Sequence, residues 1–250
     1  MRMDGGPGAL GCVLDCLPEA TRLRLLPELQ RIELPAGRVL QENRVVPTHL
    51  HFPCSGLVSM TYVTANGETG EIANIGNEGL VGLALLVGDG MATGTRAVVQ
   101  APGEAWTLRA EVAQREFRQD AAFQAMAMRH VKWLLGQITQ SAICSRHHPI
   151  ERQLARWLLL GFDRTRSEPL LVTHETLASL LGVRREGVTE AARRLQDAGA
   201  ISYSRGCIRL EQRDALEQRA CECYGLLHRQ YAALARCATP GGGNEPGEPR

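Results

Sequence analysis

The sequence predicts an α+β chain: an N-terminal antiparallel β-roll or jelly roll, a long dimerisation helix, and a C-terminal winged helix-turn-helix. Three observations carry that prediction. Between Ile32 and Leu108, short apolar runs alternate with Gly, Pro and Asn at turn-like intervals, the pattern of an antiparallel barrel. Then Phe123, Ala127, Val131, Leu134, Ile138 and Ala142 recur at spacings of three or four, as one stripe of an amphipathic helix does. Finally, THETLASLLGVRREGVTEAARRLQDAG places two short helical patterns around Gly182, and AISYSRGCIRL follows them.

Taken in order, 1–11 is Gly-rich and expected to be disordered, and Leu17–Leu29 predicts a short helix ended by Pro27. The runs RVLQ, HLHFP, GLVSMTYV, GEIANI, RAVVQA and EAWTL are the expected strands of a sensor domain over 12–110. The helix expected over Glu111–Ala142 lies in a dimerisation and hinge segment, 111–148. Pro149 opens a reader domain over 149–236, whose first helix buries Ile150, Leu154, Trp157 and Leu158. Arg213–Arg236 is expected to form one closing helix, and the Gly/Pro/Glu-rich stretch 237–250 to be unstructured.

Composition narrows the function. The formal charge of +1 divides into −1 over 1–149, +3 over 150–236 and −1 over the tail, a modest excess on the part expected to read nucleic acid. The longest apolar stretches, around Leu83 and Leu159, are far short of the roughly 20 residues that span a bilayer. The opening residues lack the apolar core of a signal peptide, so the expectation is a cytoplasmic chain with no membrane partner. No GxSxG, HExxH or P-loop is present, and a Cys144/His147 hydrolase would lack an oxyanion-forming loop. The expectation is therefore not an enzyme, with no catalytic residues.

The helix-turn-helix has its own internal logic. Ala178 lets two helices cross closely, Gly182 takes the positive φ of the turn, and Val188 fills the shared core. With Val188, Ala191, Ala192 and Leu195 buried, Arg185, Glu186, Thr189 and Arg193 project from the other side of a reading helix over 184–198. A major-groove reader needs base-seeking groups near that helix start. Arginine can donate twice to guanine O6 and N7, and glutamate can accept from cytosine N4. The candidate DNA-binding residues are Thr173, Arg184, Arg185, Glu186, Thr189, Glu190, Arg193 and Arg205. Arg184 stands where a capping Ser or Thr is usual and suits phosphate contact, as does Arg205 at the tip of a wing formed by Ile201–Tyr203 and Ile208–Leu210. Glu190 would repel phosphate unless it meets a cytosine amino group or pairs with Arg193 or Arg194. A long amphipathic helix beside such a reader suggests a homodimer on double-stranded DNA, with two half-sites about 34 Å apart.

This order of parts resembles the Crp/Fnr family of bacterial transcription regulators over about Leu17 to Tyr231, in VTHETLASLLGVRREGVTEAARRLQDAGAI, LPAGRVLQ, FPCSGLVSM and NEGLVG. The resemblance implies a homodimer, a cyclic-nucleotide-binding-type β-roll and recruitment of RNA polymerase. It also places Arg185 and Glu186 at the family's base-reading pair. The family's usual second arginine is replaced by Glu190, so its consensus site does not carry over. Its cyclic-nucleotide pocket uses a Gly-Glu and a later Arg. Here Val81-Gly82-Leu83-Ala84 puts Leu83 at the acid's place and Thr95 at the arginine's, with Arg96 one residue along. Such a shift reverses a strand side chain's direction. The alternative function is a ligand-binding or protein-interaction module of the same fold that does not read DNA.

The sequence contains eight cysteines but no CxxC pair, so no metal site is expected and the thiols are read as reduced and mostly buried. Cys12 and Cys16 lack the neighbours of an iron–sulfur cluster. No residue is singled out for haem, and the cofactor is left unknown. Cys144, His147 and His148 are expected to form a polar cluster at a helix end. Cys221 and Cys223, if on one helix, project about 200° apart and would not share an ion.

Overall fold

A computed structural model describes residues 10–87, 92–165 and 169–235. The expected unstructured tail, most of the N-terminal segment and the last residue of the expected closing helix lie outside these. Leu10 and Gly11, expected within the disordered start, instead donate their amides to the Asp15 carboxylate, each at 2.8 Å. A short 3-10 turn, Val13–Cys16, leads to α1 (Glu19–Leu25).

Among the described residues, seven strands build the N-terminal domain, the expected sensor. These are β1 (Gln30–Leu34), β2 (Val39–Gln41), β3 (His49–Pro53), β4 (Leu57–Val63), β5 (Thr69–Ile75), β6 (Thr95–Ala101) and β7 (Gly103–Arg109). They form two antiparallel sheets, β1-β7-β3 and β2-β6-β4-β5, so the β-rich prediction holds. β1 falls outside the expected apolar runs because only Ile32 and Leu34 on it are apolar, and three of its five residues are exposed. Leu34, Val58, Ile75, Val81 and Val99 fill the space between the sheets. Leu50, Phe52, Leu80, Leu108 and Phe123 fill the end covered by helices.

The expected continuous helix is two. α2 (Ala110–Gln119) stops at Asp120, whose extended backbone and side chain cap α3 (Ala121–His147) by accepting the Phe123 amide at 2.8 Å. Asp120 is also tied to α1 through the Thr21 hydroxyl, which donates at 2.8 Å. The stripe on α3 also resolves differently. Phe123 and Ala127 are buried as expected, but the buried side continues through His130, Trp133, Gln137 and Cys144. Val131, Ile138 and Ala142 fall on a second seam, where Met128 and Leu135 are 48% and 60% exposed.

Beyond Pro149, α4 (Ile150–Arg164) is followed by β8 (Leu170–Leu171), α5 (His174–Leu181), α6 (Arg185–Asp197), β9 (Ile201–Ser204) and β10 (Cys207–Leu210). The expected single closing helix is divided into α7 (Arg213–Arg219) and α8 (Glu222–Ala235), with Ala220 and Cys221 between them. Cys221 is therefore not helical, and the angular argument against a site shared with Cys223 does not apply.

α4 is buried almost all round, from Gln153 to Phe162. Its apolar side joins one core with Leu177, Val188, Leu195 and Ile208 of the reader, and with Leu57 and Ala101 of the sensor. Its other contacts are polar and dry. Arg164 Nε donates to Glu78 Oε1 at 2.8 Å with both side chains fully buried, and Trp157 Nε1 donates to Glu71 at 3.1 Å. Burial pushes the Glu71 carboxyl up. Asp163 accepts from Arg213 at 2.6 Å and from Tyr224 at 3.0 Å, fastening α7 and α8 to α4.

Two buried histidines, His51 on β3 and His130 on α3, give the fold a pH dependence. Burial lowers His130 to about 3; burial, with His49 and Arg38 nearby, lowers His51 to about 4. Both rings stay neutral in the folded chain, whereas in the unfolded chain they protonate near 6.5. The unfolded state thus binds more protons below that value. Their stabilising contribution is complete above it and declines as pH falls toward the folded values. The slope is at most about 1.4 kcal/mol per pH unit for each ring. Urea midpoints measured from about pH 7 to about pH 5 are expected to fall, and His130→Gln to flatten the decline. An unchanged slope in that variant would contradict this assignment.

Candidate nucleic-acid interface

The turn between α5 and α6 forms as its residue types require. Thr173 caps α5, its hydroxyl accepting the Thr176 amide at 3.1 Å. Gly182 ends α5 at φ +66°, and the Val183 amide donates to the Ala178 carbonyl at 3.0 Å. Ala178 and Val188 are buried between the two helices, and Ala191, Ala192 and Leu195 continue the buried side of α6.

That burial decides what faces solvent. Arg184, Arg185, Glu186, Thr189, Glu190 and Arg193 are all exposed, with Arg184 at the N-cap and making no side-chain cap hydrogen bond. The last five line one shallow surface depression. Arg185 lies 3.9 Å from Glu175, and both are in solvent. A pair so exposed contributes little and leaves the guanidinium free to exchange partners. Glu190 is matched with Arg194 at 2.5 Å, one turn along α6. Of the two arginines considered for it, the structure pairs Arg194. Arg193 and Arg184 form no ion pair with any described residue.

Thr189 is held in place. Its hydroxyl donates to the Arg185 carbonyl at 3.0 Å and lies 3.0 Å from His174 Nδ1. His174 stacks on Tyr203 of the wing with ring centroids 4.0 Å apart. This bridge between both helices and the wing was not among the expected features, and only the shared aromatic character of His174 and Tyr203 hints at it. Burial, with Arg185 nearby, lowers the His174 pKa.

The wing is a two-residue hairpin. Arg205 at φ +49° and Gly206 at φ +78° connect β9 and β10. Positive φ at both central residues matches the right-handed twist of the flanking strands. The exposed Arg205 is thus carried at the tip. β8, absent from the expected elements, adds a third strand through Leu170–Ile208 and Leu171–Cys207 pairing. The Gly206 carbonyl accepts the Val172 amide at 2.8 Å, beside Thr173. Thr173, the start of α6 and the wing tip therefore all come from one rigid unit.

In the sensor, Val81 is buried and bridges His51, and Gly82 at φ +103° precedes a 3-10 turn, Leu83–Leu85. Thr95 is hydrogen-bonded to Gln41, at 2.8 Å between side chains. Arg96 pairs with Glu42 at 3.1 Å on the surface.

Residues 152–219 match the Crp-like helix-turn-helix domain. The chain has the Crp/Fnr fold. It superposes with a TM-score of 0.64 on the c-di-GMP-responsive global regulator CLP of Xanthomonas campestris, at 17% identity, covering 78% of this chain and 100% of that one. A Crp/Fnr-family transcriptional regulator from Thermus thermophilus gives a TM-score of 0.63 at 20% identity, covering 76% and 98%. FixK2 from Bradyrhizobium japonicum gives 0.62 at 14% identity, covering 77% and 98%. No curated protein sequence matches the chain significantly. Among the described residues no helix is long and apolar enough to cross a membrane.

Gly182 offers a direct test of the turn. A Cβ there would meet only the Thr69 carbonyl oxygen, at 4.0 Å, so the cost of Gly182→Ala is backbone strain alone. A loss of about 1 kcal/mol is expected, and less for Gly182→Asn, which tolerates the left-handed region. Equal losses for the two variants by chemical denaturation would count against that explanation.

Proposed function

We propose that this protein is a homodimeric transcription regulator that reads a two-half-site operator through α6. The observation that carries this reading is the division of α6. One side is sealed into the reader core, and the other offers Arg185, Glu186, Thr189, Glu190 and Arg193 to solvent at the start of a Crp-like reading helix.

In this reading Arg185 and Glu186 contact base edges, as guanine donor-pair and cytosine acceptor chemistry allows. Thr189, pinned by His174, contacts a base edge or a phosphate. Thr173, Arg184, Arg193 and Arg205 supply phosphate contacts on either side, which fix register and carry the salt dependence. Glu190, neutralised by Arg194, is tolerated near the backbone and shifts specificity away from the family's usual site.

The second seam of α3 supports the homodimer. Met128, Val131, Leu135, Ile138 and Ala142 alternate at spacings of three and four, the a/d pattern of a two-helix interface. Met128 and Leu135 are both exposed in the single chain. Pairing this seam across a two-fold axis would present two copies of α6 to successive major grooves. RNA polymerase is the further partner that the family resemblance implies.

The sensor in this reading does not use the cyclic AMP chemistry of the family. Leu83 offers no carboxylate, Thr95 is engaged by Gln41, and Arg96 faces Glu42. Titration with cyclic AMP is expected to give no heat above dilution.

Two measurements test the core of the proposal. Genome-wide capture of bound fragments followed by anisotropy titration is expected to yield a palindromic preference. Arg185→Ala should relax that preference by about 1–3 kcal/mol at one base position. Arg205→Ala should weaken binding to all sequences and reduce the salt slope by about 1. Equal loss of preference from both would show the roles to be wrong. Leu135→Glu is expected to convert the dimer to a monomer in sedimentation and to lower affinity for the full operator more than for a half-site. A dimer unchanged by that substitution would place the interface elsewhere.

A further inference from the structure

Where α3 ends, four side chains converge. Cys144 lies on its last turn and His148 just past its C-terminus, while Cys221 precedes α8 and Cys223 lies in its first turn. Their candidate ligand atoms, three Sγ and one imidazole nitrogen, all lie within 4.8 Å of one another. The three cysteines form a small buried cluster of their own, apart from the apolar cores. We propose that Cys144, His148, Cys221 and Cys223 form a tetrahedral site for a single thiophilic divalent cation, with Zn²⁺ the ion best matched to the ligand set.

The geometry is specific to that chemistry. Bonds of about 2.3 Å to sulfur and about 2.0–2.1 Å to nitrogen put neighbouring ligands of a tetrahedral zinc ion about 3.6–3.8 Å apart. Cys144 Sγ lies 3.5 Å from Cys221 Sγ, and Cys223 Sγ lies 3.6 Å from His148 Nδ1. An iron–sulfur cluster binds its cysteines through different irons and needs a wider cage than this. Hard cations such as Ca²⁺ and Mg²⁺ take oxygen ligands, and the set contains none.

The surroundings prepare the ligands. His148 Nε2 lies 3.2 Å from Glu222 Oε1. A proton held there by the carboxylate leaves Nδ1 bare toward Cys223, the arrangement that orients metal-binding histidines. Gln140 Nε2 donates to Cys223 Sγ at 2.8 Å, a contact that suits a thiolate. Three thiolates, one neutral imidazole and a dication leave a net charge of −1. Arg156 is buried within electrostatic reach of Cys144, and its Nε has no hydrogen-bond partner. Binding would release three thiol protons to solvent and involve no change of oxidation state.

With all four positions supplied by the protein, no coordination site is open for catalysis. The ion would instead act as a cross-link. It would join the end of α3, which carries the proposed dimer seam, to the start of α8, which packs on α4. The segment between sensor and reader would then be clamped from both sides.

A disulfide between Cys144 and Cys221 would use only two of the four groups and leave the convergence of Cys223 and His148 without a role. The test measures metal without DNA, so it stands or falls apart from the reader's function. Untagged full-length protein is expected to carry about one zinc per chain by elemental analysis, or to take up one after dialysis with zinc salt. Replacement by Co²⁺ should give the intense visible bands of tetrahedral cobalt together with thiolate-to-metal charge transfer. Cys144→Ser and Cys223→Ser should each weaken zinc at least tenfold against a competing chelator, and Glu222→Gln about tenfold. Cys54→Ser should leave it unchanged. If the site variants fail to fold, the cobalt spectrum of the unaltered protein decides. Cobalt bands without thiolate character, uptake far below one equivalent, a Cys144–Cys221 disulfide in protein purified without oxygen, or full zinc affinity in Cys144→Ser would each overturn the proposal.

Discussion

The structure depends on what happens around α4. A helix buried on nearly every side has no solvent face to set its orientation, so its neighbours must fix it. Leu154, Leu158 and Phe162 join a core shared by reader and sensor, while Trp157 and Arg164 are placed by two sensor carboxylates, Glu71 and Glu78. The apolar contacts are non-directional. The polar ones are not. An arginine and a glutamate with no solvent exposure gain little net stability, because desolvation offsets most of their attraction. Their effect is discrimination, since a reader rotated about α4 would strand both charges in a dry interior. Arg164 is further covered by the Tyr231 ring, 5.0 Å away, so α8 closes over the same contact. The position of the C-terminal domain relative to the sheets is thus fixed by directional contacts, the buried ion pair and the indole hydrogen bond at α4 together with Thr69 Oγ1 lying 2.5 Å from Ser179 Oγ on α5.

The reader itself is a smaller problem, solved locally. Ala178, Gly182 and Val188 act over eleven residues, and their burial and backbone angles follow from residue type alone. This is why the helix-turn-helix, the exposed row of Arg185, Glu186, Thr189 and Arg193, and the wing were legible in the sequence. The wing was legible for the same reason, as a turn at Ser204-Arg205-Gly206 between two apolar segments, which the structure narrows to the two residues Arg205 and Gly206. The sensor strands were recognisable wherever several apolar residues cluster. β1 was not, since only Ile32 and Leu34 on it are apolar, and β8 was not, since the two residues Leu170–Leu171 are too few to show a period; each gains its place from partners far along the chain.

The misread features share one cause. α3 carries two apolar seams, one packed on its own sensor through Phe123, His130, Trp133 and Gln137, the other left open through Met128 and Leu135. A periodicity read along one helix averages them into a single broad stripe. His130 and Gln137 look polar in the sequence but are buried against Leu80 and Asn74, the Leu80 amide lying 3.4 Å from His130 Nε2 and Gln137 Nε2 donating to the Asn74 carbonyl at 2.9 Å. The break at Asp120 likewise depends on partners, because an Asp inside a helical pattern becomes a cap when Thr21 and the Phe123 amide meet it. Cys144 and Cys221 are 77 positions apart, so no spacing rule within either segment reveals that they meet. The end of the closing helix at Arg219 and its restart at Glu222 are what bring Cys221 and Cys223 to one point.

These constraints act on a common lever. α3 ends at His147 and α4 begins at Ile150, so only His148 and Pro149 lie between a helix with an exposed outer seam and a helix locked to Glu71 and Glu78. Proline fixes its own φ and biases His148 toward extended backbone, and His148 has φ −109° and ψ 142°. Gln153 Nε2 donates to the His148 carbonyl at 2.7 Å, which further restrains that residue. A displacement of α3 therefore has little slack to absorb it at the joint. It must be taken up by the buried contacts of α4 or passed on to α5 and α6. Breaking the Arg164–Glu78 contact leaves a charge in the interior, at a cost of about 3–5 kcal/mol. Small adjustments of α3 should thus move the reader and the sensor face of α4 together, while a separation of the two requires that the buried pair open first.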